Sequence, residues 1–246
     1  AVPAETRDYA YISSGTWSLM GVELDEPLVS DQALQYNFTN EGGVGSTYRF
    51  LKNIMGLWLV QECRRTWASE GRDLSYGELT ALAQNAAPFA AFIEPDDERF
   101  LTPGDMPARI RAFCEETGQA VPRDEGQVIR AVLESLALKY RYVLNNIEAV
   151  LGRRLEVIHI VGGGIQNELL CQFTASAAGR PVVAGPLEAT AIGNLLLQLI
   201  GLGQLGSLAD ARQVVRRSFA PVAYEPDQTA DWDAAYDRFR PLVPSA

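Results

Sequence analysis

The chain has 246 residues, with 31 Asp and Glu against 21 Lys and Arg, a formal net charge of −10 and 47% hydrophobic residues. That length supports one generous core without staples. A composition near the globular average, without a bilayer-length apolar run or a low-complexity tract, excludes membrane-spanning, collagenous and disordered classes. The acidic balance, with its only basic pairs at Arg64-Arg65, Arg153-Arg154 and Arg216-Arg217, excludes nonspecific nucleic-acid binding but leaves room for a nucleotide held by backbone N–H groups.

No internal repeat is present, and an α/β reading follows along the chain. The opening residues Ala1 to Arg7 carry no basic or strongly apolar leader, from which a cytoplasmic, reducing location is expected. Tyr9 to Ser14 and Thr16 to Glu23, aromatic and β-branched around a Gly15 break, predict a hairpin-like strand pair. The Asn- and Gly-rich stretch 37–46 reads as a loop; its Asn37-Phe38-Thr39 sequon lacks a secretory context. Phe50, Leu51, Ile54, Met55, Leu57, Trp58 and Val60 recur at three- and four-residue spacing, predicting one long buried helix that ends near Gly71. Ser75 and Glu78 form a capping box before a helix that Pro88 stops, and Asp105 opens another that Gly118 closes.

Asp124 starts the longest periodic stretch, in which Val128, Val132, Leu136, Tyr140, Val143 and Ile147 share a stripe until Gly152. Leu155 to Val161 reads as a strand that meets Gly162-Gly163-Gly164 and then a helix from Asn167 to Ala178. Pro181 to Ala184 is a further strand, expected to lie parallel to the previous one across a helical crossover. A small-residue helix follows Glu188, and Trp232, Ala235, Tyr236 and Phe239 mark a last amphipathic helix. With no linker in between, residues 1–246 are expected to form one domain.

Cys63, Cys114 and Cys171, odd in number and each in a helical segment, read as reduced core thiols. The single histidine, His159, sits mid-strand among apolar residues and reads as structural. No zinc or haem spacing occurs, and the carboxylate pairs Asp96-Asp97 and Glu115-Glu116 read as solvated surface. The strongest local signal is Gly162-Gly163-Gly164, where backbone can approach a charged or flat ligand; tight packing is its bland alternative. Asn167 stands where a dinucleotide fingerprint wants its last glycine, so that reading is disfavoured. Ser13-Ser14-Gly15-Thr16 is a second phosphate-type turn, and the two turns together suggest phosphate near one and adenosine near the other.

Blocks running in order along the chain carry a resemblance: Tyr11 to Gly21, Thr39 to Gly43, Leu51 to Leu59, His159 to Asn167 and Ala184 to Thr190. They are similar to the C-terminal half of the FGGY carbohydrate kinases. The resemblance implies an actin-like, ribonuclease-H-like lobe with extra helices, one of two lobes that close over a sugar and Mg·ATP. It implies L-rhamnulose as the ketose phosphorylated at its 1-hydroxyl; L-fuculose, a pentulose, or a non-catalytic nucleotide- or sugar-sensing role stay open. Carried over, Thr16, Gln61, Gly162, Gly163, Gly164 and Asn167 are expected at ATP and Asn53 at the sugar. On the predicted helix, Asn53 and Gln61 would lie about two turns apart. The catalytic aspartate is expected upstream of Ala1, so no catalytic residue or metal ligand is assigned within the chain. The N-terminal lobe, with most of the sugar pocket and the Mg²⁺ ligands, is the expected partner. A fragment truncated at its N-terminal edge and inactive by itself is also expected.

Overall fold

The computed structural model describes residues 1–244. β1 (Tyr9–Ser14) and β2 (Trp17–Leu24) pair antiparallel, as their composition predicts. The segment after them differs from expectation twice. A short helix α1 (Asp31–Gln35), N-capped by Ser30, precedes an edge strand β3 (Thr39–Gly42) inside the stretch read as a loop. The predicted long helix is instead a strand, β4 (Tyr48–Met55), a break at Gly56, and a helix α2 (Trp58–Ser69). Phe50 and Ile54 lie four apart and Leu51 is also buried, which imitates helical spacing. In fact Phe50 and Ile54 join the main core while Leu51 packs on the opposite sheet face with Tyr11. Lys52, between them on the core side, hides the alternation because its ammonium donates to the Tyr36 carbonyl at 2.8 Å.

The remaining helices begin and end where local chemistry predicts. They are α3 (Tyr76–Asn85), α4 (Met106–Glu116) and α5 (Glu125–Leu151). Ser75 and Glu78 close a full capping box, Asp105 and Asp124 cap the next two, and Gly152 ends α5 in a left-handed conformation. Then come β5 (Val157–Val161), α6 (Glu168–Ala178), β6 (Val182–Ala184), α7 (Ala189–Gly201), α8 (Leu208–Ser218), β7 (Val222–Tyr224) and α9 (Thr229–Phe239). α8, capped by Ser207 with Leu208, Ala211 and Val215 at helical spacing, and β7 lie outside the elements anticipated from the sequence.

The seven strands of the described residues join one mixed sheet in the order β3-β4-β2-β1-β5-β6-β7, and β5 runs parallel to both β1 and β6. β1 therefore lies inside the sheet, paired on both sides, and the edges are β3 and β7. α5 packs against β2, α3, α6 and α9. Its buried Val128, Val132, Leu136 and Val143 share one core with Ile12, Phe50, Phe92 and, from α9, Trp232 and Phe239. α7 buries only Ala189 and Leu196 and leaves Leu195 59% exposed, and Leu202 just after it is 73% exposed. Among the described residues no helix is long and apolar enough to cross a membrane.

The three cysteines are free and buried. His159 is buried in β5, edge-on to Tyr9 at 5.5 Å between ring centroids. Burial, with the Arg212 charge adding to it, lowers its pKa from 6.5 to about 4. The folded value lies below the unfolded one, so the unfolded chain takes up the proton first. The stability this contributes is present above pH 6.5 and is lost as pH falls to about 4. A His159→Phe variant keeps a ring against Tyr9 and has no such proton. Between about pH 7 and pH 4 its unfolding free energy should improve relative to the parent by about 3 kcal/mol. Urea midpoints at the two pH values check this, and a difference that does not move with pH would show an imidazole open to protons in the folded state.

Candidate functional site

A cleft of about 630 Å³ opens at the strand ends where β1 turns into β2 and β5 turns towards α6. Five residues expected at a nucleotide line it: Thr16, Gln61, Gly163, Gly164 and Asn167. The Thr16 hydroxyl donates to Gln61 Oε1 at 3.3 Å, which joins the first strand turn to α2. Asn167 caps α6, accepting Leu170 N at 2.9 Å, and its Nδ2 reaches Thr80 Oγ1 of α3 at 3.4 Å.

The three glycines of the second turn have three different reasons to be glycine. A Cβ on Gly163 would meet nothing within 4 Å, so the backbone there faces open space. Gly162 has φ +88°, and a Cβ on it would stand 2.8 Å from the Ser14 carbonyl oxygen. On Gly164 a Cβ would lie 2.6 Å from Ser14 Cβ. Gly162 is not among the residues lining the cleft; it and Gly164 let the turn lie directly on β1, and Gly163 is left facing outward.

Asn53 does not reach the cleft. It lies on β4 opposite Leu19 of β2, exposed, rather than on one helix with Gln61. The two-turn relation between them therefore does not exist, because Gly56 separates strand from helix.

The far wall was not anticipated. Tyr76, Gly77, Thr80, Ala81 and Gln84 of α3 face the two turns. The capping box located this helix in the sequence; which side it turns to the sheet is decided by tertiary packing. Its C-terminus is held by Arg130 of α5, whose Nη1 donates to the carbonyls of Ala83, Gln84 and Ala86 at 3.2, 3.1 and 3.0 Å. Glu134 fixes that guanidinium at 2.7 Å and accepts Phe89 N at 2.9 Å. Burial pushes the Glu134 pKa up to about 7, although Arg130 opposes the shift.

The N-terminal residues of α2 (with Leu57 before it), α3 and α6 all line the cleft, so three helix starts meet there. Their N–H groups and dipoles favour an anion. Among the lining residues none is Lys or Arg, and Glu168 is the single carboxylate. Among the described residues no three His, Cys, Asp or Glu side chains converge as a metal site. Asp96, read as solvated, is instead half-buried and accepts Met55 N at 2.7 Å.

Residues 10–202 match the family model of the C-terminal domain of the FGGY family of carbohydrate kinases. A rhamnulokinase of Bacteroides thetaiotaomicron is 51% identical over 243 residues, covering 99% of this chain and 49% of the relative. One of Enterococcus faecalis is 46% identical, covering 91% and 45%. The chain thus spans about half the length of these relatives. A xylulose kinase structure from Rhodospirillum rubrum superposes with a TM-score of 0.70 at 19% identity, covering 96% of this chain and 47% of the other. A Plasmodium falciparum glycerol kinase with ADP gives 0.63 at 16%, covering 96% and 47%. The sheet and its helices have the actin-like ATPase fold of those kinases, and the chain belongs to the FGGY family of carbohydrate kinases, whose C-terminal domain it matches.

Proposed function

We propose that this chain is the nucleotide-binding C-terminal lobe of an ATP-dependent ketose kinase that phosphorylates L-rhamnulose at its 1-hydroxyl. One observation carries the nucleotide part: an open glycine, a threonine hydroxyl and three helix starts meet on one cleft that no carboxylate cluster occupies. Polyphosphate needs donors without competing negative charge, and this cleft supplies them. When nucleotide binds, the Thr16 hydroxyl turns its one proton from Gln61 Oε1 to a phosphate oxygen, and Gly163 lets backbone lie along the nucleotide. Asn167 stands at the adenosine side, beside α3.

The sugar follows from the relatives, which are named rhamnulokinases at 42–51% identity. Asn53, exposed on β4, serves the sugar from outside the cleft. The base aspartate and the N-terminal lobe belong to the half of the protein that the relatives have in addition. The described residues offer Mg²⁺ no carboxylate set, so the metal is held by the triphosphate and that other half, where it screens the charge on the transferring phosphoryl group. Residues 1–246 act as one domain, and the lobe turns over no sugar alone.

ADP release by the protein extended to its natural start, compared over L-rhamnulose, L-fuculose, L-ribulose and D-xylulose, tests the reading. A clear preference for L-rhamnulose is the expected result. Preference for another ketose would reassign the sugar and keep the cleft. A folded protein that binds nucleotide and turns over none of them would favour the sensing role.

A further inference from the structure

The Gly15-Thr16 turn is held from behind by a chain of contacts that starts in the helical layer. Gly15 O accepts Leu57 N at 2.9 Å, and Thr16 O accepts Gly56 N and Trp58 N at 3.1 Å each. The turn therefore sits wherever the junction between β4 and α2 sits. That junction is itself fastened, with Met55 N on Asp96 Oδ1 at 2.7 Å and Trp58 Nε1 on the Phe100 carbonyl at 3.0 Å.

Behind Asp96 stands Lys139 of α5. Its ammonium lies 3.0 Å from Asp96 Oδ2 and 2.7 Å from Glu94 Oε1, which also accepts Asp96 N at 2.9 Å. Lys139 and Glu94 are only 3% and 2% exposed, and Glu94 Oε2 has no partner. Burial opposes the charge on both: it raises the Glu94 pKa despite Lys139, while Asp96 and Glu94 together hold the Lys139 pKa above the ordinary lysine value against it. The next residue, Tyr140, shares a 2.7 Å hydrogen bond with Ser18 of β2. Two consecutive residues of α5 thus brace β2, which leaves the turn, and β4, whose junction with α2 fastens the turn from behind.

Ion clusters like this add little net stability, because desolvation offsets the attraction and apolar residues of the same volume hold a core as well. They differ from apolar packing in direction, here one carboxylate oxygen fixed on one backbone N–H at the root of the turn. We propose that Lys139 is a positioning residue for the phosphate turn, acting through Asp96 and Met55 N–H to set where Gly15 and Thr16 stand in the cleft. The proposal rests on the nucleotide reading of that cleft.

The test uses the full-length protein with Lys139→Met, Lys139→Arg, Asp96→Asn and, as a remote core control, Phe239→Leu. Lys139→Met should raise the Kd and KM for ATP about tenfold or more while the ketose KM stays within about twofold, and Lys139→Arg should restore most of the affinity. Phe239→Leu should lower the thermal midpoint without moving ATP affinity. A folded Lys139→Met protein with parental ATP affinity, or one whose loss the Phe239→Leu control reproduces, overturns the proposal. If Lys139→Met does not fold, Asp96→Asn decides by the same readout, since it keeps an acceptor for Met55 N and loses the ion pair. A parent that binds no nucleotide would overturn the cleft reading first, and this inference with it.

Discussion

A Gly163→Leu variant of the full-length protein should fold as the parent does and bind ATP about a hundredfold more weakly. The fold should not notice the change, because a Cβ at this position meets nothing within 4 Å. The ligand should notice it, because the added side chain fills the space where the cleft's backbone is bare. Thr16→Ala separates a second contribution: it removes one hydroxyl donor and adds no bulk. A hydrogen bond to a charged oxygen contributes about 1.5–3 kcal/mol, so this loss should be about tenfold to a hundredfold. Titration with a fluorescent ATP analogue, beside thermal midpoints, reads both variants. Unchanged affinity in both would mean that the nucleotide binds somewhere other than this cleft.

Sequence and structure agree where the controlling interaction is local. Ser75 with Glu78, Asp124 and Gly152 end their helices by bonds to residues a few positions away, and those bonds are present. The two turns at Thr16 and Gly163 were legible for the same reason, since backbone exposure at a glycine is written in the residue itself. β4 was not, because Leu51 is buried on the face opposite Phe50 and Ile54 while Lys52 interrupts their row, so the strand's alternation is lost. The error carried Asn53 with it, placing on a helix a residue that stands on a strand.

Other misses have their partners far along the chain. Asp96 resembles a surface acid among turn residues until Lys139 arrives from α5. The α3 wall depends on Arg130 gripping the helix's last carbonyls, which no pattern within α3 announces. What the sequence conveyed of the cleft was therefore its exposed glycine backbone, and what it withheld was the scaffold that holds that backbone in place.

The neighbouring glycine gives the largest expected loss of stability. Gly162 has φ 88° and ψ −174°, a region essentially reserved for glycine, where another residue costs about 1–3 kcal/mol. A Cβ there would also stand 2.8 Å from the Ser14 carbonyl oxygen, and that atom belongs to β1, which is paired on both sides and has no freedom to withdraw. Forcing extra atoms into such packing costs a further ~1–3 kcal/mol. Gly162→Ala should therefore destabilise the fold by about 4 kcal/mol, lowering the thermal midpoint of a domain this size by roughly 8–16 °C. Gly163→Ala, one residue on, should change it by less than about 0.5 kcal/mol. The contrast is the decisive part of the measurement. If the two alanines cost the same, the turn does not lie on β1 as described, and the open space at Gly163 loses its meaning as a ligand site. If they differ as expected, Gly162 is a structural position, and the amides of Gly163 and Gly164, which line the cleft, are the ones whose hydrogen exchange should slow when nucleotide is added.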